Sequence, residues 1–157
     1  MFNIVLVSPK IPQNTGTIGR TCVSIGAPLH IVRPIPFSLD EKAVRRAGLD
    51  YWPHLDLSVW EDLEAFERAH PVTPRHFMFT TKTDTPYFET PFQPGDFFYF
   101  GSEDAGLPLG LIANGNPLTI PMDPRFRSLN LSNAVSIVLY EALRQNYPLW
   151  QERLGIK

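Results

Sequence analysis

Short, almost uniformly apolar runs recur along the chain and predict the strands of a buried sheet. Such runs lack the alternation of polar and apolar positions that marks a half-exposed sheet. Strands that are buried on both faces are typical of a mostly parallel sheet covered by helices. The predicted strands are Phe2–Val7, Leu29–Val32, His76–Thr80, Phe97–Phe100 and a short one at Leu118–Ile120.

Between those runs, apolar residues recur at helical spacing. Asn14 or Thr15 is predicted to cap the first helix, and Gly26 and Gly48 are predicted to end the first two. The alternation of strands and helices predicts an α/β fold, with helices flanking a mostly parallel sheet, in one domain that spans residues 1–157. The predicted helices are Thr15–Ile25, Asp40–Ala47, Glu61–Ala69, Leu109–Ala113 and Asn130–Gln145.

The residue composition limits the cellular location, the membrane partners and the metal sites that can be expected of this chain. The single cysteine, Cys22, has no partner for an internal disulfide, which predicts a reducing, cytoplasmic location and a buried, inert thiol. No apolar run is long enough to cross a membrane, so no membrane partner is predicted. The four histidines lack the spacing of metal ligands, so no metal site is predicted. Tyr51, Trp52 and Trp60 are interpreted as packing residues in preference to base-stacking ones.

The net charge of −2 argues against a nucleic-acid-binding surface that covers the whole chain. Five acidic residues and no basic residue lie between Asp56 and Glu67, and they predict the solvated face of a helix. Basic residues form two pairs, Arg45/Arg46 and Arg125/Arg127. Taken alone, these pairs indicate no more than solvated surface.

Ligands of an open parallel sheet bind beyond the carboxyl ends of its strands. Two glycine-containing stretches follow predicted strands in this way: NTGTIGR, which ends at Arg20, and FGSEDAGLP, which contains Gly101 and Glu103. Gly101 is predicted to let a ligand lie against the backbone, and Glu103 to accept backbone N–H groups or orient a basic partner. The second stretch lacks both the dinucleotide-binding and the Walker spacing.

A third stretch, IPMDPRFRSLNLSNAVSIVLYEALRQ, begins as a loop because Pro121 and Pro124 exclude a helix. From Asn130 onward it is apolar nearly all round, which predicts a buried helix with a buried N-terminus. The first N–H groups of that helix need partners. A helix cap needs one or two polar residues, and this segment has four near its start, so the additional polar residues predict a bound polar ligand. The polar cluster consists of Ser128, Asn130, Ser132 and Asn133.

Taken together and in this order, the three stretches resemble the motifs of the SPOUT class of RNA methyltransferases. FNIVLVSPKIPQNTGTIGRTC and RRAGLDYW are similar to its compact members that methylate the ribose of nucleotide 34 in tRNA. The resemblance implies a C-terminal trefoil knot, a homodimer, and S-adenosylmethionine bound in the knotted loops without a metal. It implies cofactor contacts from Phe79, Gly101, Ile120, Ser128 and Leu129.

The resemblance also implies 2′-O-methylation of the wobble nucleotide 34, cytidine or uridine, in tRNA, with Arg20 at the reacting hydroxyl. A guanidinium stays protonated and is a poor base, so Arg20 is assigned to the phosphate and the developing alkoxide. Glu103 and Asn130 are expected to order the surrounding loops. Another tRNA or ribosomal RNA position, or a non-catalytic RNA- or nucleotide-binding domain of the same fold, remains an alternative. Residues expected to hold the RNA backbone are Arg45, Arg46, Arg125 and Arg127.

Overall fold

A six-stranded parallel sheet forms the centre of the protein in the computed structural model, which describes residues 1–40 and 42–156. The strand order is β3-β2-β1-β5-β4-β6, and each neighbouring pair runs parallel. The predicted mostly parallel sheet is therefore confirmed. The strands are β1 (Asn3–Val7), β2 (Leu29–Val32), β3 (Leu57–Trp60), β4 (His76–Phe79), β5 (Phe97–Phe100) and β6 (Asn116–Leu118).

Six α-helices are found in the described part of the chain, with 3₁₀ segments at Leu49–His54 and Tyr87–Glu89. The first helix starts at Pro12, whose ring suits a first helical position. Ile11 occupies the N-cap, so the prediction that Asn14 or Thr15 caps this helix is wrong. Gly26 ends it in the left-handed conformation, φ 68°, as predicted. The helices are α1 (Pro12–Ile25), α2 (Lys42–Gly48), α3 (Leu63–Ala69), α4 (Leu109–Asn114), α5 (Leu131–Gln145) and α6 (Tyr147–Leu154).

Each face of the sheet has its own apolar core. On one face, α1 and α5 contribute residues such as Ile18 and Val138, both fully buried, to a core with Phe98 of β5. On the other face, Phe66 of α3 and Leu111 of α4 pack with residues of β1, β2, β4 and β5. Burial on both faces explains why the central strands are uniformly apolar.

Three elements depart from the predicted pattern. Strand β3 was not predicted, because it is an edge strand whose Val59 is exposed and whose neighbours are polar. Strand β6 lies at Asn116–Leu118, before the predicted run, and the opposite edge of the sheet tolerates Pro117 there. Helix α6 was also missed; it follows α5 directly and carries Pro148 in its first turn. Residue 41, in the predicted Asp40–Ala47 helix, lies outside the described residues.

Helix α5 is less buried than its composition predicts. Val135, Val138 and Leu139 are fully buried, but Ile137 is 37% exposed and Tyr140 is 49% exposed. The prediction of a helix buried all round is therefore wrong, since one apolar stripe faces outward. No helix in the described residues combines the length and apolar character needed to cross a membrane.

Candidate active site

A cleft of about 810 Å³ opens where the loops after β1, β4, β5 and β6 meet the start of α5. These are the loops in which the sequence predicts a functional site. A volume of this size suits a small-molecule ligand of nucleoside dimensions. The cleft is lined by residues 79–82, 100–107 and 127–131 together with Ile11, Asn14, Thr119, Ile120, Met122 and Ala134.

The inner wall of the cleft is aromatic. Phe79 ends β4 and Phe100 ends β5, and their rings stack with centroids 5.0 Å apart. Both side chains are buried, whereas the loop residues that follow them are more exposed. An apolar floor with polar groups at the rim is the usual composition of a ligand site.

Gly101 lies where two backbone segments meet at the edge of the cleft. A Cβ atom at this position would overlap the backbone of Gly106 and Leu107. The chain's own turn, in which Gly106 is left-handed with φ 69°, therefore occupies the space on the Cβ side of Gly101. Gly101 lines the cleft, but it is required because two backbone segments meet there.

The carboxylate of Glu103 joins the loop after β5 to the loop after β1. Its Oε2 accepts the backbone N–H of Lys10 at 2.7 Å, and its Oε1 accepts the backbone N–H of Ile11 at 3.0 Å. The prediction that Glu103 accepts backbone N–H groups is confirmed. Charge-assisted bonds of this kind are shorter and stronger than neutral ones, so the carboxylate holds the entrance to α1 in place.

Asn14 extends this contact to the third motif. Its Nδ2 donates to Oε1 of Glu103 at 3.2 Å, and its Oδ1 accepts from Nδ2 of Asn130 at 3.1 Å. Asn14 is buried, so both halves of its amide are satisfied inside the protein. We call this series of contacts the Glu103–Asn14–Asn130 chain. The sequence analysis did not identify Asn14 as a site residue. A polar residue on the buried side of a helix is the signal that could have identified it.

Asn130 caps α5. Its side-chain oxygen accepts the backbone N–H of Asn133 at 3.2 Å and the hydroxyl of Ser132. Ser128 and Asn130 are exposed, whereas Leu131 and Ser132 in the first turn are buried, so the prediction of a buried N-terminus is confirmed only in part. The helix starts at the cleft instead of in the core. Asn130 and Leu131, at the start of the helix, both line the cleft, so a polar ligand there would lie close to the helix N-terminus.

The predicted site residues fall into two groups. Around the cleft lie Glu103, Asn130 and Arg127, together with Phe79, Gly101, Ile120, Ser128 and Leu129. Arg20, Arg45, Arg46 and Arg125 do not belong to the described lining of the cleft. The structure thus brings the expected cofactor residues together and places the expected catalytic arginine outside them.

The arginines outside the cleft are found in three places. The guanidinium of Arg20, on α1, stacks over the ring of Tyr51 with 4.9 Å to its centroid. Arg45 and Arg46, on α2, line a shallow groove of about 360 Å³. Arg125 is ion-paired with Asp123, and the hydrogen bond that it donates holds the pKa of that carboxyl below its usual range.

Two candidate reactive groups are structural. Burial raises the pKa of the Cys22 thiol, as expected for an inert cysteine. His30 is buried and accepts the indole N–H of Trp60 at 3.2 Å, which makes it a satisfied core histidine. In the described part of the chain, no group of three or more His, Cys, Asp and Glu side chains is arranged to hold a metal ion.

The chemistry available in the cleft is that of binding and alignment. Its described lining contains hydroxyl, amide and backbone groups and the charged side chains of Lys82, Glu103, Asp104 and Arg127, and it contains no histidine. Such a site suits a reaction between two bound molecules, in which the protein contributes chiefly proximity and orientation.

Comparisons with known proteins agree with this geometry. Residues 1–140 match the model of the SpoU rRNA Methylase family. A tRNA (cytidine(34)-2'-O)-methyltransferase from Escherichia coli (strain K12) is 46% identical over 152 residues, covering 94% of this chain and 96% of the relative. An enzyme of the same name from Burkholderia ambifaria is 46% identical over 149 residues, covering 92% of this chain and 96% of the relative.

Solved structures give the same result. One structure, described as giving insights into the 2-OH methylation of C/U34 on tRNA, is similar with a TM-score of 0.90 and 43% identity, and it covers 94% of this chain and 97% of its own. An AdoMet-bound rRNA methyltransferase from Sinorhizobium meliloti is similar with a TM-score of 0.81 and 26% identity; 91% of this chain and 56% of that one are covered.

Proposed function

Because this chain belongs to the SpoU rRNA methylase family, we propose that it methylates the ribose 2′-hydroxyl of nucleotide 34, a cytidine or uridine, in tRNA. The family match confirms the resemblance that the three motifs indicate. The observation that carries the proposal is the near end-to-end likeness, at 46% identity, to enzymes named for this reaction. The motifs that carry the likeness are also the stretches that build the cleft.

S-adenosylmethionine is the proposed cofactor. The size and aromatic floor of the cleft fit a nucleoside, and a 26% identical relative is described as AdoMet-bound. When bound, this cofactor supplies a methyl group that its sulfonium already activates. Residues proposed to hold it are Phe79, Gly101, Ile120 and Leu129 through their backbone groups, and Ser128 at the start of α5.

The protein's part in the reaction is to align the ribose and to manage the hydroxyl proton. We assign Arg20 to the adjacent phosphate and to the charge that develops on the 2′-oxygen, since a guanidinium donates but does not accept protons. The phosphate or a water molecule accepts the proton. Glu103 and Asn130 keep the loops in place through the Glu103–Asn14–Asn130 chain.

The described lining of the cleft does not include Arg20 of the same chain, and a homodimer would supply this arginine from the second copy. Ile137 and Tyr140 form an exposed apolar stripe on α5, and α5 lies next to α1, where Thr21 and Ser136 are 3.5 Å apart. A second copy packed on this stripe would cover it and would bring its own Arg20 toward the cleft. An isologous interface of this kind is the commonest arrangement in homo-oligomers.

The tRNA is proposed to lie across both arginine groups. Arg45 and Arg46 line the basic groove, Arg127 lines the cleft, and Arg125 lies two residues before it. Contacts from these side chains to phosphates would give affinity without base identity. A single-stranded wobble nucleotide is also easier to splay into a cleft than a paired one.

The proposed trefoil knot and the single domain across residues 1–157 are supported by the connection between β4 and β5. Its backbone pairs with Thr119 on one side, through Thr85 and Tyr87. On the other side, Phe92 donates to the side chain of Gln145 at 2.8 Å. This connection therefore contacts both ends of the 119–145 segment, as a loop around a threaded helix would. A cytoplasmic location accords with a tRNA substrate.

Ribosomal RNA is the second candidate substrate, because the family is described as rRNA methylases. The Sinorhizobium meliloti rRNA methyltransferase is only 26% identical and has additional length, since this chain covers 56% of it. The tRNA-modifying relatives match this chain at nearly full length. The weight of similarity therefore favours tRNA.

The test is transfer of labelled methyl from S-adenosylmethionine into total RNA of a strain that lacks the protein, followed by mapping of the labelled nucleotide. We expect label on the ribose of nucleotide 34 of tRNA. Label in ribosomal RNA, or at another tRNA position, would favour the second candidate. Binding of S-adenosylmethionine raises the melting temperature of a specific binder, so a thermal shift without any transfer would indicate a non-catalytic domain.

A further inference from the structure

The 3₁₀ segment Leu49–His54 packs against α1 beside Arg20. Gly19 has no side chain, and a Cβ atom placed there would be 2.7 Å from the ring of Trp52 and 3.2 Å from Leu55. Trp52 can therefore lie directly against the helix. Any larger residue at position 19 would force the ring away, since 2.7 Å is closer than carbon atoms approach one another in contact.

Two neighbouring pairs of residues are matched across this contact. Trp52 packs on Gly19. The adjacent residues also meet, because the ring of Tyr51 lies under the guanidinium of Arg20, whose central carbon is 4.9 Å from the ring centroid. Tyr51 is 40% exposed, so its ring does not serve the core. An aromatic face beneath a guanidinium is an electrostatically favourable cation–π arrangement.

We propose that Tyr51 is a positioning residue for the methyl-transfer reaction: its ring holds the Arg20 guanidinium in the orientation in which it meets the substrate. This inference rests on the proposed function of Arg20. A long exposed side chain samples many rotamers, and a fixed partner reduces that freedom before the substrate arrives. The packing of Trp52 on Gly19 fixes the position of the ring in turn.

The requirement is for the π face of the ring and not for its hydroxyl group. Tyr51→Phe should therefore retain the turnover number, and Tyr51→Leu, which keeps an apolar side chain without the π face, should lower it by about two- to fivefold. Affinity for S-adenosylmethionine should stay the same in both variants, because Tyr51 does not belong to the described lining of the cleft.

The decisive experiment replaces Tyr51 with phenylalanine and with its mono-, di- and trifluorinated analogues, and measures single-turnover methylation of tRNA together with the melting temperature. Each fluorine weakens the negative face of the ring while its size hardly changes. We expect the rate to fall with each added fluorine at constant melting temperature. The same series at Tyr147, an exposed ring on α6, should leave the rate unchanged.

Each failure has its own signature. A rate that stays flat across the fluorinated series, in a protein whose activity depends on Arg20, would overturn only the role of Tyr51. Full turnover of Arg20→Ala would overturn the role of Arg20 itself. Absence of transfer to tRNA by the unaltered protein would overturn the proposed function. A fall in the melting temperature that parallels the rate would make Tyr51 a structural residue and would also overturn the inference.

Discussion

The side-chain amide of Asn130 donates a hydrogen bond to the side-chain oxygen of Asn14 at 3.1 Å, joining residues 116 positions apart. Asn14 passes the connection on to Glu103, which holds the backbone of Lys10 and Ile11. Three motifs that are separate in sequence are thus tied by one series of hydrogen bonds in the wall of the cleft. The cleft keeps its shape because these polar groups satisfy one another.

Replacing Asn14 with alanine should disturb all three motifs. The substitution leaves Asn130 and Glu103 each without one partner, and each lost hydrogen bond contributes about 0.5–1.5 kcal/mol to stability. We expect a lower free energy of unfolding and weaker binding of S-adenosylhomocysteine, measured by chemical denaturation and by calorimetric titration.

Asn133→Ala is the matched control, because Asn133 is an exposed asparagine in the first turn of α5. Its backbone N–H serves the Asn130 cap, and an alanine keeps that group. The control should lose little in either measurement. Equal losses from both substitutions would mean that the Glu103–Asn14–Asn130 chain does not organise the cleft.

Gly101→Ala tests the close approach of two backbone segments. The added methyl group overlaps the backbone of Gly106 and Leu107, which cannot rotate away as a side chain can. We expect a loss of stability of about 3 kcal/mol or more, in the range of severe substitutions, with loss of cofactor binding. Gly110→Ala is the control, because a Cβ atom there meets nothing within 4 Å. It should be neutral or stabilising by up to about 1 kcal/mol, and a Gly101→Ala variant that behaved the same way would contradict the model of the turn.

The sequence predicts the parts of the fold that are governed by local pattern. Leu29–Val32 and Phe97–Phe100 are strands at the predicted positions, since two-sided burial imposes an apolar run. It does not predict β3, which is an edge strand with one exposed side. The sequence also does not predict the close approach of backbone to Gly101, because the approaching segment is a turn whose path depends on the left-handed Gly106.

The sequence predicts which loops form the site better than it predicts the hydrogen bonds between the site residues. The loops that line the cleft follow from the rule that ligands bind at the carboxyl ends of parallel strands. The bonds of Asn14 do not follow from any rule of this kind, because they need the relative position of helices α1 and α5. The position of Arg20 outside the described lining of the cleft likewise depends on how α1 packs against Trp52.

Arg20→Ala should abolish methylation while leaving cofactor binding intact. Loss of a donor that stabilises a developing oxyanion typically lowers turnover by about 10²–10³-fold. Arg20 is not in the described lining of the cleft, so the dissociation constant of S-adenosylhomocysteine should not change. Arg68→Ala, an exposed arginine of α3 that pairs with Glu64, is the control and should keep full turnover. An active Arg20→Ala variant would remove Arg20 from the mechanism.

The proposed dimer makes a complementation prediction. Arg20→Ala and Asn130→Ala should each be inactive, the first for lack of the arginine and the second for a damaged cleft. When the two are co-expressed, half of the dimers are mixed, and each mixed dimer has one intact cleft facing one intact Arg20. We therefore expect about a quarter of the unaltered activity to return. No recovery, in a preparation shown to contain mixed dimers, would place Arg20 and the cleft in the same chain.

Tyr140→Asp tests the interface itself. A carboxylate on the exposed apolar stripe of α5 would be desolvated between two copies, and burial of an unpaired charge is strongly unfavourable. We expect a monomer by light scattering and loss of methylation, with the cleft still present. Arg68→Ala, exposed on α3 at the opposite face of the sheet, should stay dimeric. A Tyr140→Asp variant that remains dimeric would place the interface elsewhere.

His30 makes the fold sensitive to acid. Burial is the main cause that lowers its pKa to about 4, and nearby His70 lowers it further while Asp56 opposes the shift. The neutral ring accepts the N–H of Trp60, and its other nitrogen is 3.5 Å from the side-chain oxygen of Asn3. A proton on the accepting nitrogen would remove the bond from Trp60, so the folded protein resists protonation.

The sign of the effect follows from the lowered pKa. An unfolded chain, in which a histidine has a pKa of about 6.5, takes up the proton first as the pH falls. Stability is therefore complete above about pH 6.5 and is lost progressively down to about pH 4, by at most about 3 kcal/mol for this residue. Denaturation at several pH values should show a shallower fall in His30→Gln, whose amide can still accept from Trp60, than in the unaltered protein. Exposed His54→Gln should leave the fall unchanged, and an equal slope in all three proteins would exclude His30 as its cause.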